Sequence, residues 1–367
     1  MRFSINQSEL QNALSVVLKG ISTRSTLPIL SGVYVRADND VLVLQSTDLE
    51  LSIQYTVAAL IEEPGETVVP GKLFSEIVKN LPDAAVQVEG SEESAEITCD
   101  TAAFTIKTLN PQDFPGFPTV NVDQSVELPF SRFSSLVKRV ARMVSKDESR
   151  AILTGVLVTL EGSTLRMVAT DSYRLALSEA AVPDEMSGEF SAVISGSFLQ
   201  DIAALPRTDE TLTLSLSENQ ILVRCGDTVF VNRRIEGRFP NYRQLLPESC
   251  TTSATVEVKR LVSAVKRASL LANAAAPVKL DLNAGSQTLQ LTCTAQDVGS
   301  TSETLPCAIE GDDMEIAFNY SYLIDGLNIM STETVRFEAL APVKPGIFTA
   351  EEEGERYLYL VMPVRIS

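Results

Sequence analysis

Apolar residues spaced three or four apart open three separate stretches of the chain. Leu10, Leu14, Val17 and Ile21 form the first stripe, with Asn6 and Glu9 placed as a capping-box-like start. Phe133, Leu136, Val137, Val140 and Val144 form the second, and Val258, Leu261, Val262, Val265 and Ala268 the third. Each stripe predicts an amphipathic helix with one side buried. Beyond the helix the period drops to two, as in Gly155 to Leu160 and Thr164 to Ala169, joined by the turn Glu161-Gly162-Ser163. A short second helix and another group of strands follow. Each stretch reads as two helices and about eight strands, an α+β layer with its helices segregated to one face.

The stretches are copies of one unit with a period near 125 residues. The run from Val68 to Pro82 (VVPGKLFSEIVKNLP) is echoed from Val193 to Pro206 (VISGSFLQDIAALP), and more weakly from Ile316 to Leu327. Thr47-Asp48, Thr170-Asp171 and Gln296-Asp297 recur 123 and 126 residues apart, and Phe114-Pro115 and Phe239-Pro240 lie 125 apart. A chain of 367 residues exceeds the roughly 250 at which single cores stop growing. Three domains are expected, over residues 1–122, 123–250 and 251–367.

Composition removes most enzyme classes. The chain has no histidine, which excludes Ser-His-Asp and Cys-His nucleophiles and His-ligated metals. Its five cysteines, Cys99, Cys225, Cys250, Cys293 and Cys307, are scattered and form no C-x-x-C pair, so neither a disulfide framework nor a zinc site is expected. No cofactor is implied. No apolar run approaches the ~18 residues of a membrane helix, and the opening Met1 to Asn6 lacks an apolar signal core, so a soluble, cytoplasmic protein without membrane contact is expected.

The net charge of −18 opposes nucleic-acid binding unless cations are gathered locally. They are. Arg132, Lys138, Arg139, Arg142, Lys146 and Arg150 face only Asp147 and Glu148 within residues 128–150. Lys259, Arg260, Lys266 and Arg267 face only Glu257 within residues 254–273. At about 100° per residue, Arg132, Arg139, Lys146 and Arg150 fall in one sector of a helix, away from the apolar stripe. No base-reading motif accompanies them, so any contact with duplex DNA would be to the backbone and sequence-independent.

Thr26-Leu27-Pro28-Ile29-Leu30, Thr47-Asp48-Leu49-Glu50, Ala169 to Leu175 (ATDSYRL), Gly237 to Tyr242 (GRFPNY) and Val361-Met362-Pro363-Val364-Arg365 stand in order along the chain. On these motifs it resembles, end to end, the bacterial DNA sliding clamps, the DNA polymerase III beta subunit family. That resemblance implies three similar domains per chain and a head-to-tail homodimer that forms a six-domain ring around double-stranded DNA. It also implies a groove that takes short peptides of the replicative polymerase, the clamp loader and other proteins with a clamp-binding motif. The matching groove positions are Leu153, Thr170, Ser172, Tyr173, Arg174, Leu175, Pro240, Leu245, Val343, Val361, Met362, Pro363 and Val364. Ser172 replaces a common Gly and Gln244 a frequent Arg.

DNA-facing positions implied by the resemblance are Arg24, Lys72, Lys146 and Arg150, to which the cation row adds Arg139; Ser197 replaces an expected Lys. Phe104 and Ile106 would meet Leu270 and Leu271 of the partner subunit at the seam. Two rivals remain at this stage. One is a carboxylate enzyme with Asp171 or Asp48 as base, against which the recurrence of the Asp reads as a repeated turn cap. The other is a clamp paralogue or scaffold that keeps the groove but does not encircle DNA.

Overall fold

The structure is a computed structural model that describes residues 1–22, 26–205, 211–272, 277–352 and 354–365. Its elements follow one order three times, the second repeat lacking the short strand that β5 and β22 supply in the others. The first repeat runs β1 (Arg2–Asn6), α1 (Gln7–Val17), β2 (Gly32–Asp38), β3 (Val41–Thr47), β4 (Leu51–Ala58), β5 (Leu60–Glu63), β6 (Gly65–Pro70), α2 (Gly71–Asn80), β7 (Ala85–Gly90), β8 (Ser94–Cys99) and β9 (Ala102–Lys107). The second runs β10 (Gln124–Pro129), α3 (Phe130–Val140), β11 (Gly155–Gly162), β12 (Thr164–Thr170), β13 (Arg174–Ala181), β14 (Gly188–Ser195), α4 (Gly196–Ala203), β15 (Thr211–Leu216), β16 (Gln220–Cys225) and β17 (Thr228–Arg233). The third runs β18 (Thr252–Glu257), α5 (Val258–Ala268), β19 (Val278–Asn283), β20 (Thr288–Ala295), β21 (Gly299–Pro306), β22 (Ala308–Gly311), β23 (Met314–Phe318), α6 (Tyr320–Leu327), β24 (Thr334–Ala339), β25 (Gly346–Glu352) and β26 (Glu355–Val361). The α+β class and the internal repetition are as expected.

The helices form where the stripes place them. The Asn6 side chain accepts from Ser8 N at 3.0 Å and caps α1; Asn319 does the same for α6, accepting from Ser321 N at 2.9 Å. Leu10, Leu14 and Val17, then Phe133, Leu136, Val137 and Val140, then Leu261, Val265 and Ala268 are buried. Each large side chain so buried stabilises by about 1.5–3 kcal/mol. Two stripe residues do not belong. α1 ends at Val17, before Ile21, and α3 ends at Val140, after which a single tight turn delivers Val144 with extended backbone (ψ 155).

The strands gather into two compact units, residues 1–131 with 205–234 and residues 132–204 with 235–367. The second repeat is therefore shared. Its β10 and β15–β17 extend the first repeat's sheet to eight strands, ordered β10-β15-β16-β17-β4-β3-β2-β6. Its β11–β14 join the third repeat in nine strands, ordered β14-β11-β12-β13-β26-β25-β24-β18-β22. In each unit the boundary between repeats is itself a strand pairing. β17 runs antiparallel to β4 from Thr228↔Tyr55 to Asn232↔Leu51, and β26 to β13 from Glu355↔Ala180 to Val361↔Arg174. The remaining sheets, β5-β1-β7-β8-β9 and β21-β20-β19-β23, leave β9 and β21 as edges. α1 packs on α2 and against β3 and β4, and α5 on α6 and against β20 and β21.

The pairing of β13 with β26 carries a buried charge. Glu355 is only 5% exposed, and its carboxylate accepts from Arg132 Nη1 at 2.8 Å and Ser135 Oγ at 2.7 Å. Arg139 Nη2 lies 2.8 Å from Oε2, the oxygen that also accepts from Ser135. The three donors stand on one face of α3. Burial pulls the Glu355 carboxyl upward, and the Ser135, Arg132 and Arg139 interactions more than reverse this, leaving it below the usual value of 4.5. A carboxylate depressed in the folded state stabilises above its unfolded pKa, and that stability is lost as pH falls through the folded value. Replacing Glu355 by Ala should cost about 3 kcal/mol near neutrality, because the largely covered Arg139 is left without its partner. Thermal melts over roughly pH 3–7 should show the gap between wild type and variant closing on acidification; a constant gap would mean the carboxylate charge contributes nothing.

Candidate functional site

The site begins with a turn. Asp171 Oδ1 accepts from Tyr173 N at 2.9 Å and from Arg174 N at 3.0 Å, while Thr170 Oγ1 accepts from Ser172 N and donates to Arg174 O at 2.7 Å. This Asx-type turn holds Ser172 at φ +80, in the left-handed region. The first repeat has the same device: Asp48 Oδ1 accepts from Glu50 N and Leu51 N, Thr47 Oγ1 from Leu49 N, and Leu49 stands at φ +79. Asp171 and Asp48 are therefore structural caps. Asp171 spends its second oxygen on Arg174 Nε at 2.9 Å, so neither aspartate favours the carboxylate-enzyme reading over a turn cap.

The turn brings the chain's last strand against it. Met362 N donates to Tyr173 O at 2.8 Å, one residue beyond the ladder of β13 and β26, and Val364 N donates to Ala317 O of β23 at 2.8 Å. Behind them lies an apolar cluster of Val168, Leu175, Leu177, Val193, Phe239, Tyr242, Ile347, Leu358 and Leu360. Tyr173, Leu245, Val343 and Met362 remain 59%, 46%, 67% and 39% exposed, far more than isolated surface positions require. Pro240 and Ser172 are also exposed, and Pro363 and Val364 half-buried. Leu153, Thr170, Leu175 and Val361, also among the predicted groove residues, are buried.

Arg174 is fixed from three directions. Its Nε meets Asp171, its Nη1 meets Asp325 Oδ2 at 2.5 Å, and its guanidinium lies 4.6 Å from the Tyr322 ring centroid. Tyr322 in turn stacks on Tyr173 with centroids 6.2 Å apart. Tyr322, Asp325 and Tyr242 were not foreseen as part of the site. Asp325 is 151 residues from Arg174, and nothing local in α6 marks it as a partner.

The first repeat shows why the frame alone does not make a groove. Across β11, β12, β13 and β26, the aligned row Leu157, Val168, Leu177, Leu358 is wholly apolar. The corresponding row in the other unit is Tyr34, Gln45, Gln54, Val229. There Gln45 Nε2 donates to Gln54 Oε1 at 2.8 Å and Tyr34 Oη to Glu66. The polar groups satisfy one another and offer an apolar ligand little.

The cations need correction. Because α3 ends at Val140, Lys146 and Arg150 are not on it, and no continuous helical row exists. Arg139 is committed to Glu355, with only 17% of its side chain exposed, and is not free for phosphate. Arg150 pairs with Asp147 at 3.1 Å and donates from Nη1 to Ser172 Oγ at 3.0 Å, which ties it to the groove turn. Lys72 on α2 and Lys146 are exposed; Arg24 lies outside the described residues. Ser197 opens α4 beside Ser195, their hydroxyl oxygens 3.0 Å apart. On α5 the buried Val258, Leu261, Ala264, Val265 and Ala268 leave Lys259, Arg260, Lys266 and Arg267 on the outer side.

At the predicted seam, Phe104 lies on the core face of β9, opposite the fully buried Ile97, yet is 41% exposed. Leu270, just past α5, is 83% exposed, and Leu271 is half-buried. Ile106 is a correction: at 6% exposure it is core of its own sheet, opposite buried Ala95. None of the five cysteines is in a disulfide; four are buried and Cys250 is exposed. Among the described residues no group of three or more Cys, Asp or Glu could hold a metal, and no helix is long and apolar enough to cross a membrane.

Repetition of one frame, with exposed apolar side chains gathered beside one of its capped turns, fits a modular binding scaffold. The whole chain matches, in order, the N-terminal domain of the DNA polymerase III beta subunit over residues 1–118, the central domain over 127–241 and the C-terminal domain over 243–365. It is 33% identical to the beta sliding clamp of Synechocystis sp. over the full length of both. It is 32% identical to the beta sliding clamp homolog GriR of Streptomyces muensis, covering all of this chain and 99% of that one. Among solved structures, the beta subunit from Streptococcus pyogenes superposes with a TM-score of 0.93 at 29% identity, and the Pseudomonas aeruginosa sliding clamp bound to griselimycin with 0.92 at 27%, both chains fully covered in each case. The chain belongs to the DNA polymerase III beta subunit family, the bacterial sliding clamps, and is non-enzymatic.

Asp171→Ala and Asp48→Ala should each destabilise by about 1–2 kcal/mol through loss of the capped turn. Only Asp171→Ala should also weaken a groove ligand, since only its turn carries Tyr173. Melting curves and peptide titration of both variants check this, and equal ligand affinity in the two would detach the turn from the groove.

Proposed function

We propose that two copies of this chain close head to tail into a ring of six repeats around duplex DNA, with repeat domains over 1–122, 123–250 and 251–367. The observation that carries the reading is the repeated junction. β4 pairs with β17, and β13 with β26, so each repeat hands its last inner strand to the next. By the same rule β21 of one copy requires a β9, and both stand as free edges. A head-to-tail contact with this geometry closes when its rotation returns to the start. Half-exposed Phe104 meets Leu270 and Leu271 of the partner subunit there.

DNA is held topologically and contacted through backbone phosphates by the exposed Lys72 and Lys146 and by Arg24, while acid elsewhere repels it. Arg139 and Arg150, committed elsewhere, are left out. The groove tethers the replicative polymerase, the clamp loader and other proteins of the bacterial cytoplasm through short peptides with apolar anchors. Tyr173, Pro240, Leu245, Val343 and Met362 form its contact surface, floored by Leu153, Thr170, Leu175 and Val361, with Ser172, Arg174, Pro363 and Val364 at its lip. The griselimycin-bound Pseudomonas aeruginosa clamp supports ligand capture by this fold.

Sedimentation should give a species near twice 39.8 kDa. After loading onto nicked circular plasmid, the protein should stay bound in salt that strips ordinary phosphate binders, and should be lost once the plasmid is cut. Equal loss from circles and linear DNA would favour a scaffold that does not encircle DNA.

For the groove, Met362→Ala should weaken a Gln-x-x-Leu-Phe type peptide by about 1–2 kcal/mol, because a side chain that moulds to the anchor becomes a void. Retention on circles should not change. Calorimetric titration measures the first, and unchanged affinity would remove Met362 from the contact surface.

A further inference from the structure

The three donors that grip Glu355 form a spaced motif, Arg132-x-x-Ser135-x-x-x-Arg139, and the motif occurs again. In α5 it reads Arg260-x-x-Ser263-x-x-x-Arg267, 128 residues later and likewise starting at the helix's third position. α1 has Glu9, Asn12 and Val16 at those places. In α3 the motif has a clear task, because a buried carboxylate on the neighbouring repeat's strand needs it. Among the described residues no buried carboxylate of another repeat meets these positions of α5. Ser263 is exposed, and Arg260 and Arg267 are 60% and 56% exposed, paired at the surface with Glu257 (2.7 Å) and Glu303 (2.5 Å). Exposed pairs of this kind contribute little by themselves and leave guanidinium donors to share.

Position in the repeat indicates the missing partner. Glu355 is the first residue of β26, at the hairpin turn from β25, where Glu352↔Glu355 closes the ladder. α3 belongs to the repeat whose β13 pairs with β26. At a seam built on the same plan, α5 would stand over the first residue of the partner's β9, at the turn closed by Cys99↔Ala102. Alanine there cannot replace the glutamate, but Asp100 can. It is exposed and stands at φ +52, where the equivalent turn in the second repeat has Gly226 at φ +53. Aspartate tolerates this conformation less well than glycine, so its presence costs backbone strain that a contact offsets.

We infer that Arg260, Ser263 and Arg267 form a carboxylate clamp that seizes Asp100 of the partner subunit, making the seam an ionic as well as an apolar contact. The inference rests on the ring reading above. Its test is subunit exchange and dimer dissociation of the full chain, by fluorescence, for wild type, Asp100→Gly, R260A/R267A and their combination. Asp100→Gly keeps the turn, since glycine suits its φ, and removes only the carboxylate. Each change should weaken the dimer on the order of tenfold and flatten its salt dependence, and the combination should be no worse than either alone. Asp100→Arg with R260E/R267E should restore much of the affinity. A wild-type dimer that ignores Asp100→Gly, or losses that add independently, would overturn the clamp and leave the ring standing. A wild type that stays monomeric at micromolar concentration would remove both.

Discussion

A β-strand must satisfy its backbone on both sides, and that requirement organises this molecule more than any side chain. Each repeat ends its inner sheet on a strand with one unsatisfied edge, and the following repeat supplies the matching strand. The pairings β4 with β17 and β13 with β26 erase the boundaries a domain chart would draw. They explain why the second repeat is divided between two compact units although it is one unit of sequence. Among the strands that end the four sheets, β9 and β21 are the ones whose counterparts in the other repeats, β17 and β26 and then β4 and β13, are paired.

The same repetition separates frame from lining. Capped turns at Asp48 and Asp171, each holding the next residue in the left-handed region, give both units the same backbone platform. Unit by unit, the residues placed on it differ. Leu157, Val168, Leu177 and Leu358 make this row part of an apolar core, whereas Gln45 and Gln54 bond each other. Recognition here depends on composition laid over a geometry the fold provides more than once.

Much of the fold was legible because its signals are local. Helical stripes, period-two runs and the recurring Asp turn all lie within a few residues, so the repeat and the α+β class followed from them. Where the reading failed, an unseen local break or a long-range contact intervened. Extending the α3 period to Lys146 and Arg150 missed the turn after Val140, and assigning Arg139 to phosphate missed Glu355, more than 200 residues away. Ile106, expected at the seam, is placed on the core side by the pairing of β8 with β9. The groove motifs were visible at Thr170 to Leu175 and Val361 to Val364. Their support from Tyr322 and Asp325 was not, since no spacing rule links α6 to that turn.

β26 is pinned at both ends: by Glu355 and its three donors where it begins, and by the Met362–Tyr173 and Val364–Ala317 bonds just past its end. Such a strand behaves like a string held at bridge and nut. It cannot slide lengthwise, because a one-residue slip would turn every side chain to the wrong face and strip the carboxylate of its donors. A load applied at the groove therefore meets resistance in shear along the whole ladder, where many backbone bonds share it, instead of peeling them one by one. A tethered enzyme can pull on its anchor while the join between second and third repeats keeps its register.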